Sequence, residues 1–327
     1  MTEKINNIQF QNYYVLKGSA IRNPEYCKPE IPEYSGNPLI EALPYVMDFD
    51  DLMCNLAAYP DVSEEDISKR NPVRFHLIGR IRDFYQPMPI AGDIYNQLTE
   101  LICRGYLARN PVRKEYLERL RILNNAKEKL SIDNNVQLQE ICSRIRSTAS
   151  TFSIIGISGI GKTTLVEKIL TIYPQVIYHT EYQDISMIRT QLVWLKIDCP
   201  HDGSLKTLCR SFFSAVDNVI GTTNYTRSFG NPRNSTAIMM IHMAYVSALH
   251  SIGVLVIDEI QHLMASRGNS QEEMLNFFVT LVNVIGIPVV TIGTFKALQV
   301  LSRDFRQARR VGTDGIIMWD RMENNDT

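Results

Sequence analysis

The chain has 327 residues and a formal net charge of -1, and 45% of its residues are hydrophobic. This length allows one large core or two modest ones. The near-neutral charge excludes a general attraction to nucleic acid or anionic lipid, so contact with a polyanion requires a local basic patch. No run reaches the roughly 18 apolar residues of a membrane span, and the N-terminus lacks an apolar signal core. We expect a soluble, cytoplasmic protein that does not enter a membrane.

Three segments differ in composition and apolar spacing. Residues 1–36 are rich in Asn, Tyr, Pro and Glu, which predicts an extended N-terminal arm or a clip that docks on a neighbouring surface. Residues 37–125 predict a small, mostly helical module, with helices at Asp93–Tyr106 and Val112–Asn124. Residues 126–327 form the third segment. None of the six cysteines stands in a C-x-x-C pair, which disfavours a zinc site.

Strands and helices alternate in the third segment, which predicts an α/β fold with a parallel sheet covered by helices on both faces. The predicted strands are 152–156, 192–197, 254–257, 289–292 and 316–319. The predicted helices are 162–171, 205–220, 236–250 and 272–285.

A phosphate-binding loop lies between the first of these strands and the first of these helices. Residues 156–163 match the pattern G-x-x-x-x-G-K-[ST] in the strand–loop–helix context that it requires. The glycines let backbone N–H groups point at phosphate oxygens, and the positive end of the helix adds to this field. Lys162 is expected to contact the β and γ phosphates, and Thr163 to bind magnesium, so ATP and Mg2+ are the expected cofactors. The expected nucleotide-binding residues are Gly156, Ser158, Gly159, Ile160, Gly161, Lys162, Thr163, Thr164 and Asp258.

Two further strands end in polar residues that fit the same chemistry. Val254–Ile257 runs directly into Asp258 and Glu259. We expect Asp258 to hold magnesium through water and Glu259 to polarise the attacking water; the alternative is a solvated acidic turn. The strand at 289–292 is followed by Thr294, whose hydroxyl is expected to sense the γ-phosphate or the attacking water. The alternative there is a strand that ends in an ordinary turn.

A basic cluster follows a short helix near the C-terminus. Its members are Arg303, Arg306, Arg309 and Arg310. Arg309 or Arg310 is expected to reach the γ-phosphate of a neighbouring subunit as an arginine finger, which would make the nucleotide part of a subunit contact. The alternative is a solvated basic face.

At these residues the chain resembles a known family. The order of the phosphate loop, LVIDE, IGT and ARR resembles that of AAA+ P-loop ATPases. Longer strings are similar to the TnsC/TniB group of transposition regulators of Tn-seven-like transposons, including CRISPR-associated ones, over about residues 35–320. The strings are Asn37–Pro44, Tyr173–His179, Leu195–Cys199, Gly203–Lys206, Leu255–Leu263, Glu273–Val279 and Ile292–Thr294.

The resemblance implies an ATP-dependent, DNA-binding regulator of transposition. Such proteins oligomerise as rings or helical filaments on double-stranded DNA, and they link a target selector of the TnsD/TniQ kind to the transposase, often with an endonuclease. ATP turnover limits or dismantles the assembly. Members of the group continue into a helical lid, whereas this chain ends at Thr327, so we expect a truncated lid. Phe295 stands where the group has proline.

The resemblance also suggests where DNA binds. In the group, the segment after the second strand of the core faces the DNA backbone, which here gives Lys196, Lys206, Thr207 and Arg210. Basic and hydroxyl side chains are the usual phosphate contacts, although a solvated helix start is the alternative reading. A second candidate is the loop at 222–234, with Arg227 and Arg233. A third is the basic face formed by Arg113, Lys114, Arg119 and Arg121.

Two other functions fit the same motifs. One is an AAA+ ATPase of a different task, such as a helicase loader or a DNA-repair motor. The other is a non-catalytic adaptor in which ATP only holds an interaction surface. Partner binding separates the first from a transposition regulator, and a phosphate-release assay separates the second.

Overall fold

The computed structural model describes residues 17–132, 150–265, 277–278, 282, 286–297 and 313–321. It contains a parallel sheet of five strands and a second sheet of three strands. The strands are β1 Ala20–Arg22, β2 Thr151–Gly156, β3 Val176–Tyr182, β4 Ile185–Leu192, β5 Trp194–Asp198, β6 Val254–Asp258, β7 Val289–Gly293 and β8 Thr313–Trp319.

Helices occupy most of the remaining described chain. They are α1 Pro38–Glu41, α2 Phe49–Leu56, α3 Glu64–Ser68, α4 Asn71–Ile78, α5 Ile90–Leu107, α6 Lys114–Ile132, α7 Lys162–Ile172, α8 Leu205–Ile220, α9 Asn224–Phe229, α10 Thr236–Leu249 and α11 Gln261–Ala265, with 3₁₀ turns at Pro32–Tyr34 and Gly79–Asp83. Among these described helices, none has both the length and the apolar character needed to cross a membrane. The helix predicted at 272–285 falls almost wholly outside the described residues.

The five-stranded sheet has the order β5-β6-β7-β2-β8, and all its neighbouring strands are parallel. Parallel strands place their carboxyl ends at one edge of the sheet. The ends of β2, β6 and β7 therefore meet there, and these are the strands that carry the phosphate loop, the two carboxylates and Thr294. A buried hydroxyl pair fixes β2 to β7, with Ser153 Oγ 2.6 Å from Thr291 Oγ1.

Each face of this sheet is covered by helices. On one face, α5 and α7 pack with sheet residues such as Val256, and Ile94 and Ile169 are fully buried there. On the other face, α8 and α10 pack through Phe212 and Met239. The helix α8 begins at the N-cap Ser204, whose side chain accepts from Thr207 N, and it ends at Gly221 in the left-handed conformation, as its sequence predicts.

The three-stranded sheet is absent from the sequence-based prediction. Its strands β3 and β4 form an antiparallel hairpin, and β1 adds to β3 in parallel. The hairpin turn consists of Gln183 and Asp184, with φ of 49° and 62°. Such turns favour Asn-Gly or Asp-Gly, so Gln-Asp gives no clear turn signal. The single strand predicted at 192–197 is in fact the last residue of β4, Val193 and the first four residues of β5.

Candidate nucleotide-binding site

The phosphate loop depends on two glycines in the left-handed conformation. Gly159 has φ of 81° and Gly161 has φ of 105°, values that residues with a side chain rarely adopt. Gly156 is required for a different reason, since a Cβ there would lie 2.5 Å from the carbonyl oxygen of Trp319 on β8. The loop encloses a cleft of about 180 Å³ before the first turn of α7. The cleft is lined by Ser158, Gly159, Gly161, Lys162, Thr163, Thr164, Asp258, Glu259, Gly293 and Thr294.

Lys162 lies inside this loop. Its Nζ donates to the carbonyl oxygens of Gly156, at 3.0 Å, and Ile157, at 2.7 Å. Burial lowers the pKa of Lys162, and the charges of Glu259 and Asp258 offset only part of that effect. Ile160 differs from the other predicted loop residues, because its side chain packs against the core under the loop. Any contact of Ile160 with a nucleotide would therefore use its backbone.

A hydroxyl and a carboxylate meet at the end of the cleft. Thr163 Oγ1 donates to Asp258 Oδ2 over 2.7 Å, and the other carboxylate oxygen of Asp258 accepts from Glu259 N over 2.7 Å. Oxygen ligands of this kind suit Mg2+, which is commonly held by one or two protein oxygens together with phosphate and water. The pair therefore fits a magnesium ion bound beside a triphosphate.

Lys196 on β5 lies beside the carboxylate of Asp258. Its Nζ lies 3.5 Å from Asp258 Oδ2, and its side chain is only 9% exposed. It also contacts Asp198 at 2.8 Å and Glu167 of α7 at 3.2 Å. Burial lowers the pKa of Lys196, but the hydrogen bond and charge of Asp198 and the charges of the other two carboxylates outweigh it, so the pKa is raised. Lys196 is thus engaged by three carboxylates in this structure, and its predicted contact with DNA stays a prediction.

Glu259 and Thr294 are joined by a residue that the motifs do not indicate. Gln261 Nε2 donates to a carboxylate oxygen of Glu259, and Gln261 Oε1 accepts from Thr294 N over 3.2 Å. Glu259 has φ of 54° and its side chain is 50% exposed. The hydroxyl of Thr294 is buried and has no hydrogen-bond partner among the described residues. A phosphate oxygen or a water in the cleft would supply one.

The remaining predicted residues that the structure describes do not line this cleft. Arg303, Arg306, Arg309 and Arg310 lie outside the described residues. Lys206 Nζ donates to the carbonyl oxygen of Pro232, and Thr207 Oγ1 lies 3.3 Å from Asp202 Oδ2. Arg210, Arg227 and Arg233 are exposed. On the third candidate surface, Arg119 packs against Gly286, so it is not part of an open basic face.

The helix α9, which carries Arg227, is held by a buried carboxylate. Asp217 accepts from the backbone N–H groups of Tyr225 and Thr226, at 3.1 and 2.7 Å, and from Thr222 Oγ1 at 2.7 Å. Burial raises the pKa of Asp217. These hydrogen bonds lower it by more than burial raises it, so the net shift of the pKa is downward. The surface that displays Arg227 is therefore anchored to α8.

Comparison with known families agrees with this geometry. Residues 145–301 match the family model described as an AAA domain. The matched range contains the phosphate loop, Asp258, Glu259 and Thr294. Together with the parallel five-stranded sheet, the match defines an AAA+ P-loop fold. Residues 145–301 are therefore similar to an AAA domain, and the fold is the AAA+ P-loop fold that the motif order predicts.

Solved structures similar to this chain include the ORC2 protein of Aeropyrum pernix. In its ADPNP–ADP complexes that protein is 14% identical over 65% of this chain and 49% of its own, with a TM-score of 0.36. The ADP form of the same protein is 14% identical to this chain, covers 64% of this chain and 49% of its own, and has the same TM-score. A Walker-type ATPase of Pyrococcus abyssi is 12% identical to this chain over 65% of this chain and 56% of its own, with a TM-score of 0.32. The chain thus spans about half the length of these proteins. A comparison of this chain with curated protein sequences found no match.

Proposed function

We propose that this site binds and hydrolyses ATP. The observation that carries the proposal is the convergence of Lys162, Thr163, Asp258, Glu259 and Thr294 on one cleft. Lys162 and the N-terminal end of α7 bind the phosphates, as backbone N–H groups and a cation do in P-loop sites. Thr163 and Asp258 would hold magnesium, which would neutralise phosphate charge when bound. Glu259 accepts a proton from the attacking water.

Thr294 and Gln261 complete the proposed site. The hydroxyl of Thr294 is buried and unpartnered, and a rotation of this side chain toward the cleft would bring it to a γ-phosphate oxygen or to the attacking water. The side chain of Gln261 connects the backbone of Thr294 to Glu259. A change at the phosphate end of the cleft therefore has a direct route to the base, through two hydrogen bonds.

We further propose that ATP turnover here controls a DNA-bound assembly in transposition. The support is the similarity of several strings, from Asn37–Pro44 to Ile292–Thr294, to transposition regulators of the TnsC/TniB group. On this proposal the chain oligomerises on double-stranded DNA, and its partners are a transposase, an endonuclease and a target selector. Arg309 or Arg310 of a neighbouring subunit is proposed to reach the γ-phosphate.

Lys206, Thr207 and Arg210 remain the proposed contacts to the DNA backbone, and Arg227 and Arg233 form a second proposed set in the loop at 222–234. Arg210, Arg227 and Arg233 have exposed side chains, and Lys206 and Thr207 are half-buried at the start of α8. The hydrogen bonds of Lys206 and Thr207 are to partly solvated partners, so they can exchange for phosphate contacts.

A mobility-shift titration with duplex DNA tests the DNA part of the proposal. We predict that DNA binding requires ATP and weakens with added salt, because the contacts are mainly to phosphates. Lys162→Ala is the matched control, and it should show no gain in DNA affinity on addition of ATP. Equal DNA affinity with and without ATP for the unaltered chain would refute the proposed switch. Capture of a replicative helicase, with no capture of transposase subunits, would favour a helicase loader instead.

A further inference from the structure

The carboxylate of Asp258 has a protein partner for each of its two oxygens. Oδ1 accepts from Glu259 N over 2.7 Å, and Oδ2 accepts from Thr163 Oγ1 over 2.7 Å. The ammonium group of Lys196 lies 3.5 Å from the same Oδ2. The side chain of Asp258 is 3% exposed and that of Lys196 is 9% exposed, so solvent screens the attraction between their charges only weakly. A cation of the protein itself therefore lies at the oxygen that the proposed site offers to magnesium.

The position of Lys196 is fixed from two further sides. Its Nζ contacts Asp198 Oδ1 at 2.8 Å and Glu167 Oε1 at 3.2 Å, so three carboxylates favour its charged form. The pairing of β5 with β6 places Lys196 opposite Val256, two residues before Asp258. Backbone pairing and side-chain contacts thus hold one positive charge beside the proposed metal ligand.

A positive charge in this position opposes the binding of a second cation. Magnesium at Thr163 and Asp258 would be repelled by Lys196, because the repulsion between like charges grows as their distance falls. It would also have to share Asp258 Oδ2 with the ammonium group. Phosphate oxygens would change this balance, since they add both ligands and negative charge, and magnesium in such sites is commonly held by one or two carboxylates together with substrate phosphates.

We propose that Lys196 competes with magnesium for Asp258 and keeps the magnesium affinity of the site low until a nucleotide is bound. The metal then enters the cleft together with the phosphates. This inference rests on the magnesium site of the function proposed above, and it adds a residue that the motifs do not indicate. Because Lys196 acts through Asp258, it is a positioning residue.

Titration of the full chain with Mn2+ in the absence of nucleotide tests this competition. Mn2+ prefers the same carboxylate ligands as magnesium, and electron paramagnetic resonance measures the unbound ion. Lys196→Gln should bind Mn2+ roughly tenfold more tightly than the unaltered chain, because the repulsion is lost. Lys196→Arg keeps the charge and should bind as weakly as the unaltered chain. A purely structural role would predict equal or weaker binding by Lys196→Gln.

Lys168→Gln is the matched control for the loss of one positive charge. Lys168 is on α7 next to Glu167, but its ammonium group lies over the ring of Tyr85, 4.4 Å from the centroid. Lys168→Gln should therefore leave the Mn2+ affinity unchanged. Circular dichroism of each variant checks folding.

A double variant locates the bound ion. Adding Asp258→Asn to Lys196→Gln should abolish the gain in Mn2+ affinity. A gain that persists would place the ion on Glu167 and Asp198 and would overturn the competition at Asp258. Equal Mn2+ affinity of Lys196→Gln and the unaltered chain, including no detectable binding by either, would overturn it as well.

Asp198→Asn tests the same competition with Lys196 in place. Asp198 is 41% exposed, so this variant should fold even if Lys196→Gln does not. It removes the nearest partner of Lys196 and leaves the ammonium group more fully to Asp258, so Mn2+ binding in the presence of ADP should weaken. Unchanged or tighter binding would contradict the proposal.

Asp258→Asn separates this inference from the proposed function. If Mn2+ binding by the unaltered chain with ADP is unaffected by Asp258→Asn, the proposed magnesium site is wrong, and the competition is wrong with it. If Asp258→Asn abolishes that binding while Lys196→Gln shows no gain without nucleotide, the magnesium site stands and only the competition is wrong.

Discussion

At the scale of single residues, Gln261 has the most informative position. It is neither a phosphate contact nor a metal ligand in the proposed site, but it hydrogen-bonds Glu259 with one end of its amide and Thr294 N with the other. Glu259 also stands in the left-handed backbone region, where residues other than glycine are uncommon. A proposed base whose backbone and side chain are both constrained in this way is held in a definite orientation.

We predict that Gln261→Ala lowers kcat for ATP roughly tenfold and leaves KM nearly unchanged, because misplacing a base slows the chemical step more than binding. Steady-state phosphate release measures both constants. His262→Ala is the matched control: His262 is the next residue on the same helix and its Nε2 is 4.0 Å from Glu259. A Gln261→Ala variant with an unchanged kcat would show that Gln261 does not orient the base.

The sequence predicts the residues around the phosphate loop well, because their roles depend on spacing within one short segment. Gly159 and Gly161 adopt the backbone conformation that the motif requires. Gln261 and Lys196 give no such signal. Each also has a partner far away in the sequence, Thr294 for Gln261 and Asp258 for Lys196, so their roles appear only when the fold brings these groups together.

At the scale of elements, Lys196 links β5, β6 and α7. One largely buried ammonium group lies beside carboxylates from all three, namely Asp198, Asp258 and Glu167. Without it, these carboxylates would repel one another in a partly desolvated place. Removing one member of such a buried cluster is normally destabilising, since it leaves uncompensated charge.

We predict that Lys196→Met lowers the free energy of unfolding at pH 7 by about 3 kcal/mol, at the low end for buried ion pairs because Asp198 is 41% exposed. Urea denaturation measures this value. The folded-state pKa of Lys196 is raised, so its contribution is present at neutral pH and is lost as the pH rises through that pKa, above about 10.4. The difference in free energy of unfolding between Lys196→Met and the unaltered chain should therefore become smaller at alkaline pH.

The exposed Lys28 provides the control for this prediction, since Lys28→Met should change stability by less than about 0.5 kcal/mol. Equal stability of Lys196→Met and the unaltered chain at pH 7 would mean that the carboxylate cluster needs no cation. If the difference in free energy of unfolding stays constant up to strongly alkaline pH, the loss of stability in Lys196→Met comes from packing of the aliphatic part of the lysine side chain.

Element prediction from the sequence succeeds for the core and fails at its margin. The buried parallel strands β2, β6 and β7 read as short apolar runs, and α8 carries its own start and stop signals. The β3–β4 hairpin was missed because β4 is largely exposed, with Ile188 89% exposed, and its turn lacks glycine. The strand β1 gains its conformation from pairing with β3, which is 154 or more positions away, so local composition predicts only an extended arm.

At the scale of the whole molecule, the order of strands explains why residues far apart in sequence form one site. The strand β2 lies between β7 and β8, so the phosphate loop that follows β2 lies beside the end of β7. The strand β6 lies on the other side of β7. The alternation of strands and helices predicts a parallel sheet with ligands at the carboxyl ends of its strands, but it does not predict this strand order. The helix α5 packs on one face of the same sheet and α1 and α2 pack against α5, an arrangement that apolar spacing does not specify.

The measurement that tests the proposed ATPase site most directly compares ATP binding and phosphate release for the unaltered chain, Glu259→Gln and Lys162→Ala. We predict that Glu259→Gln binds ATP as well as the unaltered chain but releases phosphate at least about 100-fold more slowly, since only the base is lost. Lys162→Ala should bind no nucleotide. If Glu259→Gln released phosphate at the unaltered rate, or if the unaltered chain were no faster than Lys162→Ala, the proposed hydrolytic site would be contradicted.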